Sequence, residues 1–584
     1  MNDDVGVVGS PSSTTEVTVD ILQDATNAPL HGQLVYLAHP LGERVLVALG
    51  TVTEIVTQNR WHEDPNMRGV LKRYGTLPHL SAEGDVRTAE VVVQAAYLAD
   101  NVDPAQGEPP IESGGSLSMS PTTGAEVGRV TDEFLTQLLR RHAEEIIYLG
   151  HIYNHEDVKL PLIIRDFGRA EEGGAGEAYH TGIFGMTGSG KSALASYLLA
   201  AQLRHPHLAV LVMDPQGQFT GERGLPFSLQ EWAEGQGRQV LTYSISQDIR
   251  LQQDALLLAE LLEQTRFFKD VLTIKSSENR ESAIQEFART LRGLTKWDEA
   301  APDDVLRNAA TALVNDQQAL QRIYASQTAR DRLQGALNTM LSDAAEFEIA
   351  AEIFRPLHSL FTATNAAGRA RVPLFTLLGN VLDPEADPRP LIIIDFSSQG
   401  VGHQLLNSTS VKARILRQVC SLLNLRAEQL YREDRSLNTV VVFDEAHRFA
   451  SDAPEGDEAK ELAEKLVDYV RTTRKYGLGW TFITQEISSL RKGIYDQLRV
   501  KCFGYGLTSG TELTRLSQTI GNPSARDLYS SFVDPAAIRP SKYPFMLVGP
   551  LSPLSFTGAP VFLSVYTDFG QFKTDNGFQD TPKG

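Results

Sequence analysis

One octapeptide constrains this chain more than any other feature: Gly185-Met186-Thr187-Gly188-Ser189-Gly190-Lys191-Ser192. It matches G-x-x-x-x-G-K-[ST], a loop whose glycines let backbone N–H groups turn toward phosphate. The flanks agree with it. Thr181-Gly182-Ile183-Phe184 predicts a strand entering the loop, and residues 193–203 predict an apolar helix leaving it. A helix N-terminus at that point adds favourable partial charge for an anion. Gly185, Thr187, Gly188, Ser189, Gly190 and Lys191 are therefore expected to cradle the phosphates of ATP. Lys191 is expected to reach the β- and γ-phosphates, and Ser192 to ligate Mg2+.

A second strand, residues 208–213, is apolar throughout, and 391–394, 439–443 and 480–483 repeat the pattern. Strands without polar alternation, separated by helices, predict a buried parallel sheet. The run 439–443 ends in Asp444-Glu445-Ala446-His447. An apolar strand ending in two acids suits a nucleotide site: Asp444 as a metal-side carboxylate, Glu445 as the base that orients an attacking water. The letters resemble those of two-lobed helicases, but only one nucleotide-binding lobe is visible. A single lobe with a complete loop and base predicts a neighbour that completes the site, hence a ring. Asp214, at the end of the second strand, either joins the Mg2+ and water shell or belongs to an Asp-Pro turn.

Further groups have two readings each. Arg471 and Arg474 close a helix before the strand at 478–483, as dipole complements or as arginine fingers presented to a neighbouring subunit. Gln485 follows that strand, as a γ-phosphate sensor or a helix cap. Arg491 and Lys492 form a basic turn, solvated or set against DNA in a ring's channel.

Around this core the chain changes character. The 584 residues are too many for one ordinary domain. Residues 1–16 are small, polar and acidic and are expected to be disordered. Residues 17–165 carry short β-rich runs and predict a small barrel. Residues 166–247 and 372–549 form the α/β core. Between them, 248–371 lack strand signals and carry leucine and alanine at helical spacing, which predicts a four- or five-helix insertion. Residues 550–584 read as a tail that could brace a neighbour. A net charge of −19 excludes a protein coated in nucleic acid, though not a local basic contact. Cys420 and Cys502 are too few for a disulfide framework, no apolar run is long enough for a membrane helix, and the acidic start lacks a secretory pattern. A cytoplasmic setting is expected.

In this order the motifs resemble the HerA family of hexameric DNA-translocating ATPases, relatives of FtsK. The resemblance rests on 180–192 with its leading His180, on Asp214-Pro215-Gln216-Gly217, on Asp444-Glu445-Ala446-His447, on Arg474-Lys475-Tyr476-Gly477-Leu478-Gly479, and on Thr484-Gln485. Residues 148–151 and 158–162 resemble the end of that family's barrel. There are departures. Gln218 stands where the family usually has Glu, and Thr473 where it has Gly. The family's basic residue before the loop has no match near Tyr179, leaving Arg165 or Arg169 to serve. The resemblance implies a RecA-like parallel-sheet P-loop ATPase core with an inserted helical bundle, preceded by a small β-barrel. It further implies a homo-hexamer that hydrolyses ATP with Mg2+ and moves double-stranded DNA through its central pore. The implied partner on the barrel face is a NurA-like nuclease, in DNA end resection and recombinational repair. The alternative is an antiphage complex in which the ring docks a sirtuin-like NADase or another effector.

Overall fold

The computed structural model describes residues 4–75, 84–365, 367–397, 403–454 and 456–578. Seven antiparallel strands open the chain: β1 (Asp4–Val8), β2 (Glu16–Ile21), β3 (Leu34–Leu41), β4 (Arg44–Asn59), β5 (Asp85–Ala99), β6 (Ile111–Gly114) and β7 (Glu126–Arg129). Six close in the order β2-β1-β7-β3-β4-β5, with β5 returning to β2, and β6 lies outside against β5. Closure leaves no free edge in the ring of six. Val5, Val8, Val17, Val19, Leu37 and Val91 fill the interior. The stretch 1–16 is thus not a disordered leader over its described part. Val5 and Val8 are buried, and that burial outweighs the polar residues around them.

The large sheet contains β8 (Ile146–Ile152), β9 (His155–Ile163), β10 (Thr181–Phe184), β11 (Ala209–Asp214) and β12 (Val240–Ser244). After the short pair β13 (Ile249–Arg250) and β14 (Val372–Pro373) come β15 (Leu391–Asp395), β16 (Thr439–Phe443), β17 (Leu478–Thr484), β18 (Val500–Gly504), β19 (Tyr543–Val548) and β20 (Val561–Val565). The order is β12-β15-β11-β16-β17-β10-β18-β19-β20-β8-β9. From β12 to β18 the strands are parallel, and the last four are antiparallel. Among the parallel strands, β11, β16 and β17 are buried on both faces, which is why they read as apolar runs without polar alternation.

Two expected boundaries move. The sequence pattern puts β8 and β9 in the barrel, yet they form the far edge of the core sheet. Strand patterning reveals a strand but not its partner. The C-terminal stretch packs on its own chain. β20 lies between β19 and β8, and the helix Phe569–Asp575 sets Phe569 and Phe572, with Phe578 beyond it, against Trp232. Between β13 and β14 lie seven helices, from Ala255–Thr265 to Ala344–Ser359, and the β13–β14 ladder ties the two ends of this insertion together. Its apolar residues are continuous with one face of the core sheet: Leu258, Phe287 and Trp297 share a cluster with Leu211 and Phe443.

Truncating the fully buried Phe572 to Ala should destabilise the protein by about 3–5 kcal/mol. Thermal unfolding with the oligomeric state monitored checks this. Unchanged melting together with lost assembly would return the tail to an inter-subunit role.

Candidate nucleotide-binding site

The parallel register brings the carboxyl ends of β10, β11, β16 and β17 to one edge, where an open α/β sheet forms its crevice. The phosphate loop leaves β10 there. Gly185, Gly188 and Gly190 have φ of 153°, 83° and 89°, values open to glycine and costly for other residues. Space adds a second constraint at Gly190, where a Cβ would lie 2.6 Å from the Tyr543 ring. The helix Lys191–Gln202 starts at Gly190 without any side-chain cap. Its first N–H groups are left to a ligand, as an anion site requires.

These elements line a cavity of about 770 Å³ that includes Thr187, Gly188, Gly190, Lys191 and Ser192. Asp444, Glu445 and Gln485 face them. Gly185 and the buried Ser189 lie at the root of the loop, with 2.6 Å between a Gly185 Cβ and Ser189 Oγ. Lys191 Nζ donates to the carbonyls of Gly185 (2.8 Å) and Met186 (3.1 Å), so the loop holds its own lysine. Burial pulls the lysine's pKa down, opposed by Glu445 and Asp444. Thr187 Oγ1 donates to Gln485 Oε1 at 3.2 Å, which ties the loop to the end of β17.

Glu445 follows β16 with φ 48°, in the left-handed region. Such a conformation in a residue with a Cβ costs of order 1–3 kcal/mol and is held by its surroundings. It turns the side chain into the cavity. His447 Nδ1 lies 3.2 Å from Glu445 Oε2, off the hydrogen-bonding direction, and both atoms are buried without a formed bond. His447, aided by Lys191 and Gln485, holds the Glu445 carboxyl below the usual carboxylate range. Asp444 is the opposite case. Burial, then Glu445 and Asp214, lift its pKa to about 7, and its Oδ2 has no hydrogen-bond partner. An orphaned buried carboxylate oxygen in a cavity that Ser192 also lines suits a hard cation with oxygen ligands. Among the described residues no cluster of three His, Cys, Asp or Glu could hold a metal alone.

Three residues reach the site that sequence motifs did not assign to it. Gln218 Nε2 donates to Ser192 Oγ at 2.7 Å. Arg223 is an exposed cation on the cavity wall. Tyr543 packs over Gly190. Only Gln218 left a signal, as the departure from the family's Glu.

Other expected residues lie elsewhere. Asp214 is fully buried, and its carboxylate accepts from Gln218 N (2.9 Å), Thr220 N (2.8 Å) and Thr220 Oγ1 (2.9 Å). This is the turn reading; its effect on the cavity runs through Gln218. Arg471 and Arg474 precede β17, at the amino end of the sheet. Seven strand residues, about 23 Å, separate that end from the phosphate loop. Arg474 pairs there with Glu177 at 2.9 Å. Thr473, in place of the family's Gly, accepts the Trp480 indole N–H at 2.8 Å. The leading His180 is also structural: Nε2 bonds Val470 O at 2.8 Å and Nδ1 accepts from Trp480 N at 3.2 Å, and burial lowers its pKa to about 4. Arg165 pairs with Glu145 and Arg169 with Asp434, neither in the cavity. Arg491 lies 3.9 Å from Glu464, and Lys492 2.6 Å from Asp496, so both basic side chains have acidic neighbours.

Asp444 yields a test with a defined sign. Its folded pKa of about 7 exceeds the unfolded value of 3.8, so the folded state binds the proton more tightly. Stability of the nucleotide-free protein therefore falls as pH rises between those values. Asp444→Asn should raise stability at pH 8 by about 2–4 kcal/mol, with the gain fading toward acid pH. Melting curves across pH measure this, and equal melting of both proteins at pH 8 would overturn it.

Residues 178–419 match the family model of the central domain of helicase HerA. No curated protein matches the chain. Among solved structures, VirB4 of Thermoanaerobacter pseudethanolicus is 19% identical over 72% of this chain and 96% of its own, with a TM-score of 0.36. The bacterial conjugative coupling protein TrwBdeltaN70 is 15% identical over 64% of this chain and 75% of its own, with a TM-score of 0.30. The genome packaging NTPase B204 of Sulfolobus turreted icosahedral virus 2, in complex with ATP-gammaS, is 14% identical over 32% of this chain and 71% of its own, with a TM-score of 0.21. The phosphate loop lies inside the segment that is similar to the HerA central domain, and that segment ends before Asp444.

Proposed function

We propose that the chain is the ATPase subunit of a ring that moves along double-stranded DNA. The observation that carries this reading is Glu445, held in a strained backbone position beside Lys191 with an unfilled buried carboxylate oxygen. A site built only to hold nucleotide has no use for such a base. The loop N–H groups and Lys191 bind the phosphates, and Lys191 exchanges its two loop carbonyls for phosphate oxygens. Ser192 and Asp444 would hold Mg2+, which when bound neutralises phosphate charge. Glu445 takes a proton from the attacking water, and Gln485 links the γ-phosphate position to β17. Gln218 orients the Ser192 hydroxyl. Arg223, exposed on the cavity wall, offers a further cation to the phosphates.

Arg471 and Arg474 cannot serve the site of their own subunit from the far end of the sheet. Their use in catalysis requires a neighbour, which supports a homo-hexameric ring. The Arg474–Glu177 pair is half exposed, so releasing Arg474 toward another subunit costs little. The match to the HerA central domain supports DNA as the track. The barrel lies outside the matched segment; by the resemblance of the chain's motifs to the HerA family, it docks a NurA-like nuclease for end resection in a cytoplasmic repair complex.

Lys191→Ala should abolish hydrolysis. Glu445→Gln should lower it by about 10²–10⁴-fold while ATP still binds. Steady-state hydrolysis and nucleotide-binding assays separate the two effects, and a normal rate in Glu445→Gln would remove the base assignment. A mixing experiment tests the arginines. Arg474→Ala and Lys191→Ala proteins, each inactive alone, should recover activity when co-assembled, because one supplies the finger and the other the intact loop. No recovery at any ratio would place Arg474 outside catalysis.

A further inference from the structure

β4 and β5 run past the barrel wall. β3 pairs with β4 only over Arg44–Thr51, and β2 pairs with β5 only over Thr88–Val92. The rungs Thr57↔Arg87, Gln58↔Val86 and Asn59↔Asp85 therefore form a two-stranded arm. At its tip stand two helices, Arg60–Glu63 and Pro65–Tyr74, neither of which buries any residue. Asn59 caps the first through Trp61 N and His62 N, and Asp64 caps the second through Asn66 N. Among the described residues, the tip is a capped, ordered structure with nothing packed over it.

Its charge stands apart from its surroundings. Residues 1–130 contain seventeen Asp and Glu and seven Lys and Arg, and four of those seven lie within 60–74: Arg60, Arg68, Lys72 and Arg73. The other three have partners. Arg44 pairs with Asp100, Arg87 donates to Thr26 O, and Arg129 donates to Gln33 Oε1. At the tip Arg68 Nε donates to His62 O at 2.9 Å, and none of the four cations has a carboxylate partner among the described residues, although Glu63 and Asp64 are close in sequence. On the second helix, Met67, Val70, Leu71 and Tyr74 share one face at i, i+3, i+4 and i+7 spacing. Arg68, Lys72 and Arg73 occupy the other, all exposed. Trp61 (52% exposed) and Tyr74 (73%) add two uncovered rings. Cations free of carboxylates, exposed on an otherwise acidic barrel, complement a polyanion such as the phosphate backbone of a duplex.

We propose that this arm tip is a DNA contact, in which Arg68, Lys72 and Arg73 lie along the phosphates of double-stranded DNA at the barrel end of the ring. The inference rests on DNA being the motor's track, and it supplies a cationic seat that Arg491 and Lys492, with their acidic neighbours, do not. Binding here is sequence-independent, because the side chains offered are point charges and forks for phosphate rather than a base-reading set.

The test uses the full-length protein, a 30-base-pair duplex and a salt titration. Removing one cation from a phosphate should reduce the slope of log K against log salt by about 0.9. Arg68→Ala/Lys72→Ala/Arg73→Ala should therefore lower the slope by about 3 and weaken binding alike for unrelated sequences. Lys72→Gln/Arg73→Gln, which keeps good helix formers, should lower it by about 2. Hydrolysis without DNA and thermal melting should match the unmodified protein. If the unmodified protein binds duplex and both variants keep its affinity and slope, the arm does not touch DNA and its cations serve a different partner. If the unmodified protein binds no duplex at all, the track itself is wrong, and the arm's role falls with it.

Discussion

The backbone ladder that fixes β10 between β17 and β18 is the constraint on which the rest depends. Thr181 to Phe184 pair in parallel with Thr481 to Thr484 on one side and with Val500 to Phe503 on the other. Four residues with neighbours on both sides leave no freedom of register, since a slip of one would turn every side chain to the opposite face. Because the ladder is parallel, all three strands end together. The phosphate loop, Gln485 and the chain after Gly504 must emerge at the same edge. The acidic pair Asp444-Glu445 joins them through β16, held against β17 by the same type of pairing. The site's geometry is thus set by backbone hydrogen bonds, and its side chains are placed by where strands stop.

Electrostatics then separates carboxylates that a motif places side by side. Asp214 is saturated by its own turn, Asp444 is buried and short of donors, and Glu445 is stabilised as an anion by its neighbours. Adjacent acids in one sequence end in opposite protonation tendencies because one is desolvated and the other faces His447 and Lys191. A cation entering beside Ser192 would relieve the charge that makes Asp444 costly.

What can be read from the sequence is local. Residues 185–192 and 439–445 stand out because the chemistry and the burial of the same short segment produce one pattern. The insertion is visible because leucine spacing persists through it. Partnerships across the chain are not visible. β8 and β9 look like barrel strands because alternation says nothing about which sheet receives them. Asp4–Val8 is hidden by the polar residues around two buried valines. Gln218 and Tyr543 meet the loop only after folding, across 26 and more than 300 residues of chain. The basic look of Arg491-Lys492 dissolves once Glu464 and Asp496 are seen beside it. Charge in a sequence is a count, whereas free charge is a matter of who stands next to whom.

The seating of β20 beside β8 has a consequence for how this protein is made. Gly150 pairs with Val565, His151 with Ser564 and Ile152 with Leu563, so early strands of the core sheet wait for residues more than 400 positions further along the chain. At about 5–20 residues per second, that delay on a ribosome is on the order of tens of seconds. The barrel, complete by Arg129, has all its strand partners within its own first stretch and can close long before. During the interval Leu149 and Ile152, buried in the finished molecule, belong to an edge with no neighbour. The nascent chain thus passes through a stage with a finished barrel and an unfinished core sheet, and shielding of that edge during synthesis becomes a requirement of the topology itself.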